Sequence, residues 1–148
     1  PEVLMDANQM QQVFLNLLVN AGEAMPSGGQ LTIKTRMTIP PAPSEPTADS
    51  GDEQELQIVI RDTGMGIPPE HLDKVFDPFF TSKDVGEGTG LGLAVSYGII
   101  ERHGGTITLQ SAQGEGTTVT IRLPCGEPEE EPAQDKASHD EECKDPSR

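Results

Sequence analysis

A helical repeat of apolar residues near the start of the chain constrains the fold more than any other feature. Between residues 10 and 25 the apolar side chains recur at steps of three or four, which predicts an amphipathic helix. Pro26, Ser27 and two glycines follow, so we expect the helix to end near Met25. Such a helix must bury its apolar face against another layer, and the β-rich runs farther along the chain supply that layer.

The order of the predicted elements indicates the fold class. Strands are predicted at 2–5, 31–37, 56–60, 106–111 and 117–123, a short helix at 69–75 and a longer helix at 91–103. The order β-α-β-β-α-α-β-β lacks the repeated βαβ units of a doubly wound fold. It predicts an α+β protein, a two-layer sandwich in which helices cover one face of a mixed, mostly antiparallel sheet.

Composition divides the 148 residues into one domain and two segments that cannot form a core. Apolar residues make up 33% of the chain, and large apolar side chains are almost absent from 39–53 and 125–148. We therefore expect one domain over residues 1–124, interrupted by a flexible loop insertion at 39–53. Residues 125–148 are expected to be an acidic, disordered tail.

The charge balance excludes some classes of partner. Ten basic residues stand against 25 acidic ones, so binding to nucleic acid or to an anionic membrane through the overall field is not expected. No apolar run approaches the roughly 18–20 residues of a membrane-spanning helix, so direct membrane insertion is not expected either. Both cysteines, Cys125 and Cys143, lie at or beyond the end of the predicted domain, which favours a reducing, cytoplasmic setting.

Amide side chains interrupt the first helix. Gln12, Asn16 and Asn20 are spaced four residues apart, so they form one polar stripe. A buried amide without partners is costly. Two interpretations stay open: core asparagines satisfied by nearby backbone, or an oxygen ligand for a hard cation held on a rigid helix.

Two glycine-rich segments have the composition of ligand-binding loops. The segment DTGMG at 62–66 places a carboxylate beside backbone that a ligand can approach closely, although a plain loop after a strand has the same composition. The segment GEGTGLG at 86–92 runs into a predicted helix, where unhindered backbone N–H groups can bind phosphate. It is not a P-loop, because no Lys-Ser/Thr follows the glycines. It is not a Rossmann fingerprint either, because no βαβ unit surrounds it.

Four sequence boxes together resemble the Bergerat-type (GHKL) ATP-binding domain of sensor histidine kinases. They are the N box NLLVNA at 16–21, the first glycine box DTGMGI at 62–67, the F box FDPFF at 76–80 and the second glycine box GTGLGL at 88–93. The resemblance covers about residues 1–124 and implies the Bergerat fold. The run 79–95 most resembles the nitrogen-regulation branch of these kinases.

The resemblance implies a role for each box. Asn20 is expected to bind Mg²⁺ through its amide oxygen, with Asn16 supporting it one helical turn earlier. Asp62 is expected to accept a hydrogen bond from the adenine amino group, with Thr117 joining through water. The other residues expected around the base and the phosphates are Ala21, Ala24, Gly64, Met65, Gly66, Ile67, Gly88, Thr89, Gly90, Leu91 and Gly92.

Residues 76–88 are implied to form the ATP lid. Lys83 is the only cation in that segment, which makes it a candidate phosphate contact and catalytic residue. Phe79 and Phe80 are adjacent, so both cannot face one core from a strand. Either one of them anchors the lid when nucleotide is bound, or both are packed in the core.

The implied activity is that of a protein histidine kinase. Mg-ATP would be bound, and its γ-phosphoryl group donated to a histidine on a separate dimerisation domain, with a response regulator downstream. The chain's own His71, His103 and His139 lack the helical setting of a phosphoacceptor, and His103 is placed at the end of a helix. The fragment is therefore expected to bind ATP or ADP and to be nearly inactive alone.

Three alternatives remain open. They are a stand-alone serine kinase of the anti-sigma type, a Bergerat-type ATPase and a non-catalytic nucleotide-binding module. The ATPases need a glutamate one helical turn before the metal asparagine, and here that position is Asn16, whose amide cannot take a proton. That residue favours the kinase.

Overall fold

The chain forms two layers, with helices on one face of a four-stranded sheet. The computed structural model describes residues 3–39, 54–81 and 88–126. Its elements are α1 (Ala7–Glu23), β1 (Leu31–Thr38), β2 (Gln54–Asp62), α2 (Pro69–Leu72), α3 (Gly92–Arg102), β3 (Thr106–Ala112) and β4 (Gly116–Cys125). The strand order is β1-β2-β4-β3, and each neighbouring pair is antiparallel. The predicted α+β class and the predicted β1–β2 pairing are confirmed.

Alternation along the strands turns one side of the sheet toward the helices. α1 packs against α3 and β2, and α2 and α3 pack against β3. The shared core consists of buried side chains from α1, α3 and three strands: Met10, Val13, Leu17, Ile58, Ile60, Ile99, Ile100, Ile107, Val119, Ile121 and Leu123. The apolar stripe that the sequence predicted for the first helix is therefore the face that meets the sheet.

The start of α1 is held by a cap and by the end of α3. Asp6 Oδ1 accepts hydrogen bonds from the backbone N–H groups of Asn8 and Gln9 at 2.8 and 3.2 Å. The Gln9 side-chain amide, together with these N–H groups, lowers the pKa of Asp6. His103 Nε2 accepts from the Asp6 N–H at 3.0 Å, so Nδ1 donates to the Ile99 carbonyl at 2.8 Å. The prediction that His103 ends a helix is confirmed, since it is the C-cap of α3.

The predicted strand at 2–5 is wrong. Val3 makes one isolated parallel bridge to Gly126, which is the only parallel pairing among the described residues, and Glu2 lies outside them. Leu4 and Met5 are exposed, because the chain turns there into the cap of α1. The apolar character of this segment was therefore not evidence of burial in the sheet.

Two helices end two or three residues earlier than predicted. α1 ends at Glu23 with Ala24 as its cap, because Met25 folds back into a turn and donates to the Gly22 carbonyl at 3.1 Å. α2 ends at Leu72 rather than near 75, and turns follow. Within the described residues, no helix combines the length and the apolar character needed to cross a bilayer. Cys125 and Gly126, at the start of the predicted tail, are paired, the first as the last residue of β4 and the second in the bridge to Val3. The rest of the predicted tail and residues 40–53 of the predicted loop lie outside the described residues.

Candidate functional site

Asp62 ends β2 as a nearly buried carboxylate, with 6% of its surface exposed. One oxygen, Oδ1, accepts hydrogen bonds from the backbone N–H groups of Gly64 at 2.8 Å and Thr117 at 3.1 Å. The other oxygen, Oδ2, accepts no hydrogen bond from the described residues. The first oxygen thus ties the glycine box to β4, and the second remains an acceptor for a ligand.

A hydroxyl network lies beside Asp62. Ser111 Oγ accepts from the Ile67 N–H at 2.8 Å and donates to the Gly116 carbonyl at 2.8 Å. Its single proton is then committed, so the Thr117 hydroxyl donates in the 3.0 Å contact between the two side chains. Sequence reasoning missed Ser111. On β3 the residues at alternate positions are Ile107, Leu109 and Ser111, and a polar residue in this otherwise apolar series was the available signal.

The first glycine box is joined to the end of α1. The Met65 N–H donates to the Ala24 carbonyl at 2.9 Å. A Cβ on Gly64 would lie 2.6 Å from the same carbonyl oxygen, so glycine is required there by the close approach of two backbone segments. Met65 itself is 58% exposed, and Ile67 is half-buried. The glycine that we predicted to allow close approach of a ligand thus also allows close approach of the Ala24 backbone.

The two asparagines of α1 have different surroundings. Asn16 Nδ2 donates to the Gly92 carbonyl at 3.1 Å and to Ser96 Oγ at 3.3 Å. Ser96 is fully buried, and its hydroxyl donates to the same carbonyl at 2.8 Å. Asn20 is half-buried, and its side-chain amide forms no hydrogen bond with a described residue. Asn16 therefore holds the start of α3, while the amide oxygen of Asn20 is available to a cation or a phosphate-bound water.

Sequence reasoning also missed Ser96. Its signal was position: it lies four residues after Gly92 and four before Ile100, on the buried face of α3. A serine on an apolar helix face needs a partner, and Asn16 is that partner.

The second glycine box lies between the F box and α3. Gly90 has φ +63°, and a Cβ there would overlap the Phe79 carbonyl. The Phe79 N–H donates to the Gly90 carbonyl at 3.0 Å, so the two segments run closely together. Gly92 differs, because a Cβ there would lie 3.7 Å from Asn16, an ordinary contact. Protein packing alone therefore requires glycine at 90 but not at 92.

The remaining predicted members of this box also lie at the start of α3. Gly88 is half-buried, and Thr89 and Leu91 are exposed. The Thr89 hydroxyl accepts from the Leu91 N–H at 3.4 Å. Lys83, the predicted lid cation, lies outside the described residues.

The aromatic residues of the F box have different surroundings. Phe76 contacts the core, and its ring centroid is 5.4 Å from that of Tyr97 on α3. Phe80 meets His71 edge to face at 5.3 Å. Phe79 has φ +68° and is 75% exposed. Of the two alternatives for Phe79 and Phe80, packing of both in the core is therefore wrong.

α1 spans the site from end to end. Asn16, Asn20 and Ala24 follow one another by one helical turn each. Asn16 contacts the second glycine box and Ala24 contacts the first. With a rise of 1.5 Å per residue, the two boxes are about 12 Å apart along the helix. A ligand bound at both must therefore be elongated and lie along α1.

This arrangement agrees with a known family. A sequence profile described as "Histidine kinase-, DNA gyrase B-, and HSP90-like ATPase" matches residues 5–127. The chain belongs to this family. The sensor kinase CckA of Brucella abortus is 49% identical over 121 residues, which are 80% of this chain and 13% of that protein. Sporulation kinase E of Bacillus subtilis is 38% identical over 136 residues, 92% of this chain and 16% of that protein. The chain therefore spans a small part of each of these relatives.

Solved members of the family have the same fold. The mycobacterial sensor histidine kinase MprB superposes with a TM-score of 0.65 at 32% identity, covering 82% of this chain and 74% of that one. A nucleotide-free catalytic domain of the histidine kinase ThkA gives a TM-score of 0.62 at 30% identity, covering 81% of this chain and 69% of that one. The antiparallel sheet with its helices is thus the fold of histidine kinase catalytic domains.

Proposed function

We propose that this chain is the ATP-binding catalytic domain of a sensor histidine kinase. It holds Mg-ATP and donates the γ-phosphoryl group to a histidine on a separate dimerisation domain. From that histidine the phosphoryl group passes to a response regulator. The observation that carries the proposal is the divided carboxylate of Asp62: one oxygen is held by two backbone N–H groups, and the other has no described partner. The setting is cytoplasmic in this proposal, and the nitrogen-regulation branch stays a prediction.

The base lies at the Asp62 end of the site. Adenine presents an amino donor, which matches Oδ2, an oxygen that accepts nothing from the described residues, whereas guanine presents an acceptor at the same position. The Ser111–Thr117 hydroxyl pair beside Asp62 supplies further polar groups, directly or through water. The exposed Met65 offers an apolar face to the ring, with Ala24, Gly66 and Ile67 around it.

The phosphates lie at the other end, where the second glycine box enters α3. Backbone N–H groups of a glycine-rich segment at a helix start favour anions. The amide oxygen of Asn20 fits Mg²⁺, which takes oxygen ligands and offsets phosphate charge when bound. Asn16 contributes by holding the Gly92 backbone, so it positions the box rather than reacting. Positioning and charge stabilisation are the main requirements of phosphoryl transfer.

Asn16 also bears on the ATPase alternative. Hydrolysis in that class needs a carboxylate to activate water, and here the equivalent side chain is an amide whose N–H group is engaged with Gly92 and Ser96. Loss of a positioned general base costs about 10²–10⁴ in rate. The chain alone is therefore expected to hold ATP and to hydrolyse it only slowly.

Transfer between separate domains tests the proposal. The chain is incubated with Mg-ATP labelled in the γ-phosphate and with the separately expressed dimerisation domain of a related sensor kinase such as CckA. We expect acid-labile, base-stable label on the acceptor domain and little free phosphate. Asn20→Ala should abolish transfer, whereas Gln12→Ala, an exposed member of the same stripe, should leave it intact.

The alternatives give different results in this assay. Steady hydrolysis by the chain alone at about 1 per second or faster would replace the kinase with an ATPase. Acid-stable label on serine would identify the serine kinase. ATP binding without transfer to any related acceptor domain would leave a regulatory nucleotide-binding module.

A further inference from the structure

The face of the sheet that points away from the helices carries most of the positive charge of the described chain. Strand register places Arg36 and Arg122 on either side of Gln57, and Lys34 and Arg61 at the next two rows of the same face. We call these four residues the outer basic face. The described residues contain two other basic side chains, Lys74 and Arg102, and neither lies on the sheet.

Two members of the outer basic face, Lys34 and Arg61, line a cavity. It has a volume of about 460 Å³, and its lining includes Lys34, Arg61 and the threonines at 32, 63 and 118. Its walls carry hydrogen-bond donors and no carboxylate. The cavity therefore suits an anionic group and lies on the opposite side of the sheet from α1.

These cations have no anionic partner among the described residues. Arg36 donates from Nε to the Gln57 side chain, and no ion pair joins any of the four to a described carboxylate. Glu55 is the only acidic side chain that the register places on this face, and its Oε2 is buried without a hydrogen bond. Four like charges on one surface repel one another, although the whole chain has a net charge of −15.

The sequence contains a segment of complementary charge that starts beside this face. Residues 127–148 carry nine acidic and three basic side chains. They follow Gly126, four residues after Arg122, so they start about 13 Å along the strand from the basic row. A random coil of the same number of residues would have an end-to-end distance of about 25 Å, enough to reach the rest of the face. Tethering gives such a segment a local concentration in the millimolar range.

We propose that residues 127–148 dock on the outer basic face through their carboxylates. The other acidic segment, 40–53, has four acidic side chains and no basic one, so its charge is smaller. Docking leaves the Asp62 side of the sheet open, so it is independent of the proposed nucleotide site.

Cys143 allows a direct test. With Cys125→Ser as background, a nitroxide attached to Cys143 broadens the amide NMR signals of nearby residues. In about 50 mM salt we expect the signals of Thr32, Val59 and Thr118 to lose most of their intensity, and that of Tyr97 on α3 to keep it. In 1 M salt, where the Debye length is about 3 Å, the lost intensity should return.

Charge-reversed variants provide the matched control. The double variant Lys34→Glu/Arg61→Glu should restore the signals at low salt, whereas Lys74→Glu/Arg102→Glu, with the same change in net charge, should not. Equal effects of the two variants, broadening that persists in 1 M salt, or no broadening at all would overturn the proposal. Broadening that disappears on tenfold dilution would also overturn it, because the tail would then be docking on a second copy.

Discussion

Replacing Asp62 with asparagine separates the two tasks of its carboxylate. The amide side chain of the Asp62→Asn variant can keep Oδ1 in place as the acceptor for the N–H groups of Gly64 and Thr117, so both backbone bonds survive. Its NH₂ group then occupies the position of Oδ2 and presents donors to the amino donors of adenine. We expect Asp62→Asn to bind ATP more weakly while the fold stays intact.

The magnitude follows from the bond that is lost. A hydrogen bond to a charged group contributes about 1.5–3 kcal/mol, which corresponds to a loss of affinity of about 10- to 150-fold. Asp62→Ala removes the shared acceptor as well and leaves two N–H groups without their partner. That should cost about 2–6 kcal/mol of unfolding free energy. Asp62→Asn should cost much less than Asp62→Ala.

Calorimetry with ATP and GTP, and urea unfolding of the same samples, measure both quantities. The parent chain should bind ATP more tightly than GTP, and the ratio of the two affinities should be smaller in Asp62→Asn. Asp73→Asn makes the same chemical change at an exposed position outside the implied lid and should alter neither measurement. Unchanged ATP affinity in Asp62→Asn, or equal affinity of the parent for ATP and GTP, would refute the assignment of Oδ2 to the base.

Two further predictions concern positions outside that carboxylate. Gly64→Ala should lower the unfolding free energy by about 1–3 kcal/mol, because its Cβ would meet the Ala24 carbonyl. Gly92→Ala should leave urea unfolding nearly unchanged, because its Cβ would make only an ordinary contact. Similar losses of unfolding free energy in the two variants would contradict this difference in packing. The hydrogen bond from Tyr97 to Glu101, with the Glu101 charge, raises the pKa of Tyr97. Since Tyr97 is the only tyrosine, its ultraviolet titration should have a midpoint above the usual value of about 10. Glu101→Gln should lower that midpoint, and an unchanged midpoint would exclude the interaction.

Periodicity alone predicted most of the architecture. The apolar stripe of α1 and the alternation in β2 and β4 depend on neighbours in sequence, and both lie where the sequence placed them. The strand at 2–5 failed because four residues are too few to distinguish a paired strand from an extended approach to a helix cap. Helix ends shifted by one to three residues for a similar reason, since tertiary bonds at Ala24 decide where α1 stops.

The sequence named candidate site residues but not the contacts that they make within the folded chain. The boxes named Asp62 and Asn16, yet the partners of Asn16 lie 76 and 80 residues away in sequence. Neither propensity nor spacing specifies such a pairing, so Ser96 and Ser111 were missed. Gly64 was assigned to the ligand alone, because the approach of the Ala24 carbonyl exists only in the folded chain.

The bond from Asn16 to the Gly92 carbonyl limits which side chains position 16 of this chain can carry. A glutamate at position 16 would turn an acceptor toward an oxygen that is itself an acceptor, and the single proton of Ser96 could serve only one of them. Either the carboxylate or the Gly92 carbonyl would then lack a donor, so the start of α3 would be disturbed. A carboxylate at position 16 therefore has to be accompanied by changes at residues 92–96.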